Sequence, residues 1–247
     1  MSGKPRIVLF GLGPEAPDRM CSLTSLSLNL YCDLDNGDAL KGITGVSVDS
    51  ATDEELVCVM DDIDMLIVMA LSSDQESKAI RLGEVANLAE VPFTLLAAQK
   101  GAFDQGTVSS HFRGIIVLDS DDVGELLSRI LEIFMFPSLI NLDLADLRTV
   151  LGYGREALVS CSDFPLMEHQ ETQAPEGGFD LLSQSEIDAA LVHIIGGNDL
   201  TVGHVDRICA EVARKYSPKH LIMGVRIDNT SRAVPKVLSI LAHHRES

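Results

Sequence analysis

Asn141, Asp143 and Asp146 stand two and three positions apart in the stretch SLINLDLADLRTVL (138–151), among aliphatic side chains. An amide and two carboxylates are unexpected in a segment otherwise so well suited to burial. The same residues can shape the chain. With Asp143 as N-cap, Leu144 opens a helix whose Leu144, Leu147, Val150 and Leu151 share a face. Asp146 then takes the third helical position, where an acid suits the positive end of the helix. Capping explains both acids and leaves Asn141 unexplained.

The rest of the sequence offers little for metal or nucleophilic chemistry. His111, His169, His193, His204 and His220 lie far apart with no H-x-x-x-H pair, and His243 and His244 fall in a terminal tail. The five cysteines, Cys21, Cys32, Cys58, Cys161 and Cys209, contain no CxxC pair. Neither a metal site nor a disulfide framework is expected from such spacing. Cys161 falls in a polar loop with no neighbour in sequence that would lower its pKa. Neither a G-x-S-x-G elbow nor a P-loop occurs, and Gly11-x-Gly13 reads as a tight turn after the first apolar run.

The elements that must hold these residues follow from periodicity. RIVLF (6–10), DMLIVMAL (64–71), PFTLLAA (92–98) and GIIVLD (114–119) are short apolar runs with the length of strands buried on both faces. Residues 77–90 carry Ile80, Val85, Leu88 and Ala89 near helical spacing, so strand, helix and strand alternate and predict a doubly wound parallel sheet. From Ser120 to Phe136 a wide apolar face outlines a helix that Pro137 ends. Residues 161–180, with two prolines and two glycines, read as a long loop. Beyond it ALVHII (190–195), HLIMGVRID (220–228) and KVLSILA (236–242) read as strands, and 202–216 as a helix with Thr201 as N-cap. The fold class is therefore α/β, with a Rossmann-like domain at 1–119, a helix at 120–136 and a smaller α/β domain at 137–247.

Acidic residues outnumber basic ones 37 to 19, giving a formal net charge of −18 over 247 residues. Such a surface repels phosphate backbones and anionic lipid, so nucleic acid and membrane surfaces are not expected partners. Without a run near the roughly 20 apolar residues needed to span a bilayer, and with unpaired cysteines, the chain is expected in the cytoplasm.

LINLDLADLRTVL resembles the synergy loop of the FtsZ/tubulin superfamily, where N-x-D-x-x-D leads out of a central helix into the second domain. LVHIIGGNDLTVGHVDRI and LIMGVRID resemble the strand, Gly-Gly turn, helix and strand that follow in that family. DIDMLIVMAL and DDVGELLSRILEIF are similar to the strand before its glycine-rich signature and to its central helix. The resemblance implies an FtsZ-like fold and head-to-tail contact between subunits. In such contact the synergy loop of one subunit, here Asn141, Asp143 and Asp146, acts in trans on the nucleotide of the next.

The resemblance breaks at the phosphate loops. Where FtsZ-like chains have GGGTGTG, whose N–H groups cradle phosphates, this one has SSDQESK (72–78). At about 5 Å and an effective dielectric near 20, each like-charge pair formed by Asp74 or Glu76 with a phosphate costs about 3 kcal/mol, against up to about 2 kcal/mol from a helix N-terminus. Lys78 and Arg81 offset part of this. In the first loop, GLGPEAPDRM (11–20), Gly11 and Gly13 remain, but Pro14 and Pro17 remove two N–H donors and Glu15 adds an anion. Asp121 and Asp122 fit either the residue that reads guanine or helix caps. The expectation is an FtsZ-like protein that needs no cofactor and meets an FtsZ-type GTPase, or copies of itself, through its synergy-loop face. The alternative is a divergent GTPase holding GTP or GDP with Gly11, Gly13, Ser72, Ser73 and Asp122.

Overall fold

The structure, a computed structural model, describes residues 4–26, 28–33, 42–103, 105–118, 123–154, 156–164, 187–229 and 234–243. It divides into two compact units, Met1–Met135 and Phe136–Ser247.

In the first unit the elements run β1 (Ile7–Gly11), α1 (Ala16–Met20), a 3-10 turn at Cys21–Leu26, β2 (Asn29–Cys32), β3 (Ile43–Gly45), α2 (Asp53–Val59) and β4 (Met65–Ala70). A second 3-10 turn at Ser73–Gln75 leads into α3 (Glu76–Leu88), followed by β5 (Thr94–Gln99), α4 (Gln105–Val108), β6 (Gly114–Leu118) and α5 (Val123–Met135). Its strands are parallel in the order β3-β2-β1-β4-β5-β6, with Leu9 of β1 set between Leu30 and Ile67. Right-handed crossovers require the chain to cover one face while it steps from β1 to β3, and the other while it steps from β4 to β6. Accordingly α1 and the Cys21–Leu26 turn pack with α5, while α2 packs on α3 and α3 on β4 and β5. Both faces are covered, and this is why β1 and β4 are apolar and buried at every position. The direction of winding reverses between β1 and β4. In open α/β sheets such a switch point leaves a crevice at the carboxyl ends of the two strands.

The second unit holds α6 (Leu144–Tyr153), β7 (Glu156–Asp163), β8 (Ile187–Gly196), α7 (Val202–Tyr216), β9 (His220–Ile227) and β10 (Lys236–His243). Its strands are ordered β7-β10-β8-β9. β10 is antiparallel to both β7 and β8, and β8 is parallel to β9 through the crossover helix α7. Val192, Ile194, Val237, Ile208 and Val212 form one core against α7, and α6 packs on β8 and β10.

Two expectations are corrected here. Cys161 lies in β7, not in a loop, and His243 closes β10 rather than standing in a tail. The two strands pair along their whole length, with Ser160 opposite Ser239 and Glu156 opposite His243. Half of β7 is polar, so its pattern reads as loop although every residue pairs. Of the expected 161–180 loop, residues 165–180 lie outside the described residues, as do His169 and His244.

Three of the described histidines take structural places. His204 completes the capping box of α7 with Thr201, and His220 stacks on Tyr153 with ring centroids 4.1 Å apart. His193, in β8, is 1% exposed, and neither ring nitrogen has a hydrogen-bond partner. Burial, helped by the charge of Arg226, pulls its pKa from 6.5 down to about 4. The unfolded chain therefore takes up a proton before the folded one, and stability is lost as pH falls from about 6.5 to 4, with no further loss from this group below that. The expected loss is about 3 kcal/mol. Denaturant unfolding across this range should show that difference between wild type and His193→Leu, which leaves no group to titrate.

Candidate functional site

The stretch that joins Phe136 to α6 is tied to β9 by backbone bonds. Leu139 and Ile140 donate their N–H groups to the carbonyl of Val225 at 2.7 and 3.1 Å, and Val225 donates back to Ile140 at 3.0 Å. Next to this bridge Leu142 is buried over Gly224, where a Cβ would lie 2.6 Å from both Cγ and Cδ1 of Leu142. Gly224 is thus the seat of the loop. The Arg226 guanidinium lies 5.0 Å from the centroid of the Phe136 ring and 3.7 Å from Asp228.

The three residues singled out by spacing are brought together. Asn141 Oδ1 accepts from the N–H of Ser138 at 2.9 Å, which closes a turn and gives the amide a structural task. Asp143 Oδ1 accepts from Ala145 and Asp146 N–H at 2.7 and 3.0 Å, and Asp146 Oδ2 accepts from Asp143 N–H at 2.8 Å. This is a reciprocal capping box. These bonds use one oxygen of each carboxylate, and an ionised carboxylate offers about four acceptor sites. Asn141 and Asp143 are exposed and Asp146 half-exposed. The same geometry therefore fixes the acids and presents them outward. Beside them Leu139 is 75% exposed, with Phe136 and Ile140 also open to solvent.

In the first unit Gly11, Gly13, Ser72 and Ser73 all lie at the carboxyl ends of β1 and β4. The open side of Gly11 is filled by Met20 and Ala16 of α1. Pro17 sits in the first turn of α1, where a missing N–H has no helical partner in any case. Gly13 has φ +83°, and a Cβ there would overlap Nε2 of Gln75. Gln75 is 7% exposed, and its Oε1 accepts the N–H of Leu71 at 2.8 Å. A side chain of this protein thus occupies the crevice between the two glycine- and serine-bearing loops.

Ser72 accepts Gln75 N–H at its carbonyl at 3.1 Å, while Ser73 is exposed. The cations expected to offset Asp74 and Glu76 are committed elsewhere. Lys78 Nζ lies 2.7 Å from Asp33 Oδ2 and 2.8 Å from Asp49 Oδ2, and hydrogen bonds to these two acids raise its pKa. Arg81 donates to the carbonyls of Val48 and Ala51 and to Asp53. Asp121 and Asp122 lie outside the described residues. Among the described residues no three His, Cys, Asp or Glu side chains converge on a metal site, and no helix is long and apolar enough to cross a membrane.

No protein-family model matches the chain. It is 32% identical to cell division protein FtsZ 1 of Archaeoglobus fulgidus over 117 residues, which cover 42% of this chain and 31% of that protein. The curated relatives are thus matched over about a third of their length. A mutant FtsZ of M. jannaschii superposes with a TM-score of 0.73 at 16% identity, covering 97% of this chain and 91% of the other. CetZ2 of Haloferax volcanii, solved as a GTPγS-bound protofilament, gives 0.67 at 14% identity, covering 98% and 94%. The fold is that of the FtsZ/tubulin superfamily, and part of the sequence is similar to FtsZ. Where FtsZ-like chains carry a glycine-rich signature, this chain has SSDQESK (72–78).

Two residues that matter in this FtsZ-like fold do not stand out in the sequence. Gln75 is hidden in a polar run, and the sole pointer to it is a long amide placed directly after a buried strand. Gly224 is one glycine in an apolar strand, where a close backbone or side-chain approach is the usual reason for its presence. Gly224→Ala should displace Leu142 and lower unfolding stability by about 1–3 kcal/mol. Asp143→Ala should cost about 1 kcal/mol through loss of the cap, whereas Asp143→Asn, an equally good cap, should leave stability nearly unchanged. Denaturant titration of the three variants measures both effects.

Proposed function

We propose that this chain is an accessory FtsZ-like subunit that holds no guanine nucleotide itself and offers its loop to the nucleotide-bearing face of an FtsZ-type GTPase. Asn141, Asp143 and Asp146 would act in trans on that partner's nucleotide, and the chain would cap or modulate the partner's filaments. The observation that carries this reading is the Gln75 side chain, which fills the space beside Gly13 and takes the Leu71 N–H. It is supported by the outward presentation of the loop acids beside an exposed apolar ridge. Sequence relatives named as cell division proteins support a role in the same process.

The likeness to CetZ2, solved as a GTPγS-bound protofilament, favours a second reading. In it the chain binds GTP or GDP through its altered loops and assembles with itself. Calorimetric titration of the full chain with GTP and GDP separates the two. The accessory reading expects no binding heat, together with a changed GTPase rate or filament length when the chain is added to an FtsZ-type partner. Asp143→Asn and Asp146→Asn keep their capping bonds and should abolish that effect. Saturable nucleotide binding, with turnover rising steeply with the chain's own concentration, would establish the second reading instead.

A further inference from the structure

Two obstacles stand at the crevice between β1 and β4, and they have different physical characters. Asp74 is exposed and Glu76 half-exposed. Solvent around them softens the repulsion they exert on an incoming anion. Gln75, in contrast, is buried within the crevice. Its Oε1 accepts the Leu71 N–H at 2.8 Å, and its Nε2 lies where a Cβ on Gly13 would stand. A carboxamide oxygen on a backbone N–H at the carboxyl end of a parallel strand makes the same kind of bond that a phosphate oxygen makes in such a place.

We infer that Gln75 decides the ligand specificity of this crevice: its side chain is an internal stand-in for a phosphate group, and shortening it converts the crevice into an anion site. The geometry around it is consistent with that role. Gly13 holds a left-handed conformation, with φ +83°, that brings its backbone against the amide. The acids on the rim modulate entry, while the amide closes the site. This inference rests on the reading above, in which the wild-type crevice holds no nucleotide.

The test is calorimetric titration of the full chain with inorganic pyrophosphate. It compares wild type, Gln75→Ser, Gln75→Ala, Gln75→Met and the rim variant Asp74→Asn/Glu76→Gln, each first shown to keep a cooperative thermal transition. Wild type, Gln75→Met and the rim variant should show no saturation up to about 10 mM, because the crevice stays filled. Gln75→Ser and Gln75→Ala should bind at least roughly tenfold more tightly, with Kd near 1 mM or below. The inference is overturned if a folded shortened variant stays silent, if Gln75→Met binds as the shortened variants do, or if the rim variant binds with Gln75 in place. Saturable binding by wild type would strike the accessory reading itself, whereas silence of the folded shortened variants would strike this inference and leave that reading standing.

Discussion

The hydrogen bond between Gln75 Oε1 and the Leu71 N–H at 2.8 Å, made in the crevice where the first sheet reverses its winding, is the interaction from which the functional account follows. Doubly wound sheets present ligand sites at such points because backbone N–H groups at the ends of two diverging strands are left without sheet partners. An intramolecular amide that takes one of those groups removes part of the reason for a ligand to bind there. It also fixes the two loops to one another, because the same side chain touches Gly13 at the end of β1. Lys78 and Arg81 reinforce the arrangement by bonding to Asp33, Asp49 and Asp53, so the nearby cations serve the loops of β2, β3 and α2.

In the second unit shape and presentation come from one set of bonds. Gly224 admits Leu142, the Ile140–Val225 bridge fixes the entry to α6, and the capping box orients Asp143 and Asp146. Each carboxylate uses one oxygen inward and has acceptor capacity beyond that. Capping and chemistry in trans are thus compatible, and the choice posed by the spacing of these acids is not exclusive. The apolar ridge of Phe136, Leu139 and Ile140 adds surface whose burial would favour contact with another protein.

Much of this was legible in the sequence. β1, β4, β5 and β6 are runs buried on both faces, α5 ends before Pro137, and α6 and α7 begin after Asp143 and Thr201, as their caps require. The strands that escaped are those without a period to read. β3 has three residues, β2 has four, and β7 runs three apolar residues into a mostly polar Ser-Cys-Ser-Asp end while pairing fully with β10. At the crevice the sequence pointed to electrostatic repulsion by Asp74 and Glu76, because charge is visible in a string of letters. The packing of Gln75 against Gly13 is not, since it depends on a residue more than 60 positions earlier in the chain arriving beside it through the sheet. Likewise the structural task of Asn141 depends on the turn that it closes onto Ser138, which spacing alone does not show.

The most direct measurement is a crystal structure of the full chain grown with GTP and magnesium. The account predicts the Gln75 amide within hydrogen-bonding distance of Leu71 and touching Gly13, with no phosphate density between the two loops. Ordered phosphates beside Gly13 and Ser73, with Gln75 swung away, would contradict it.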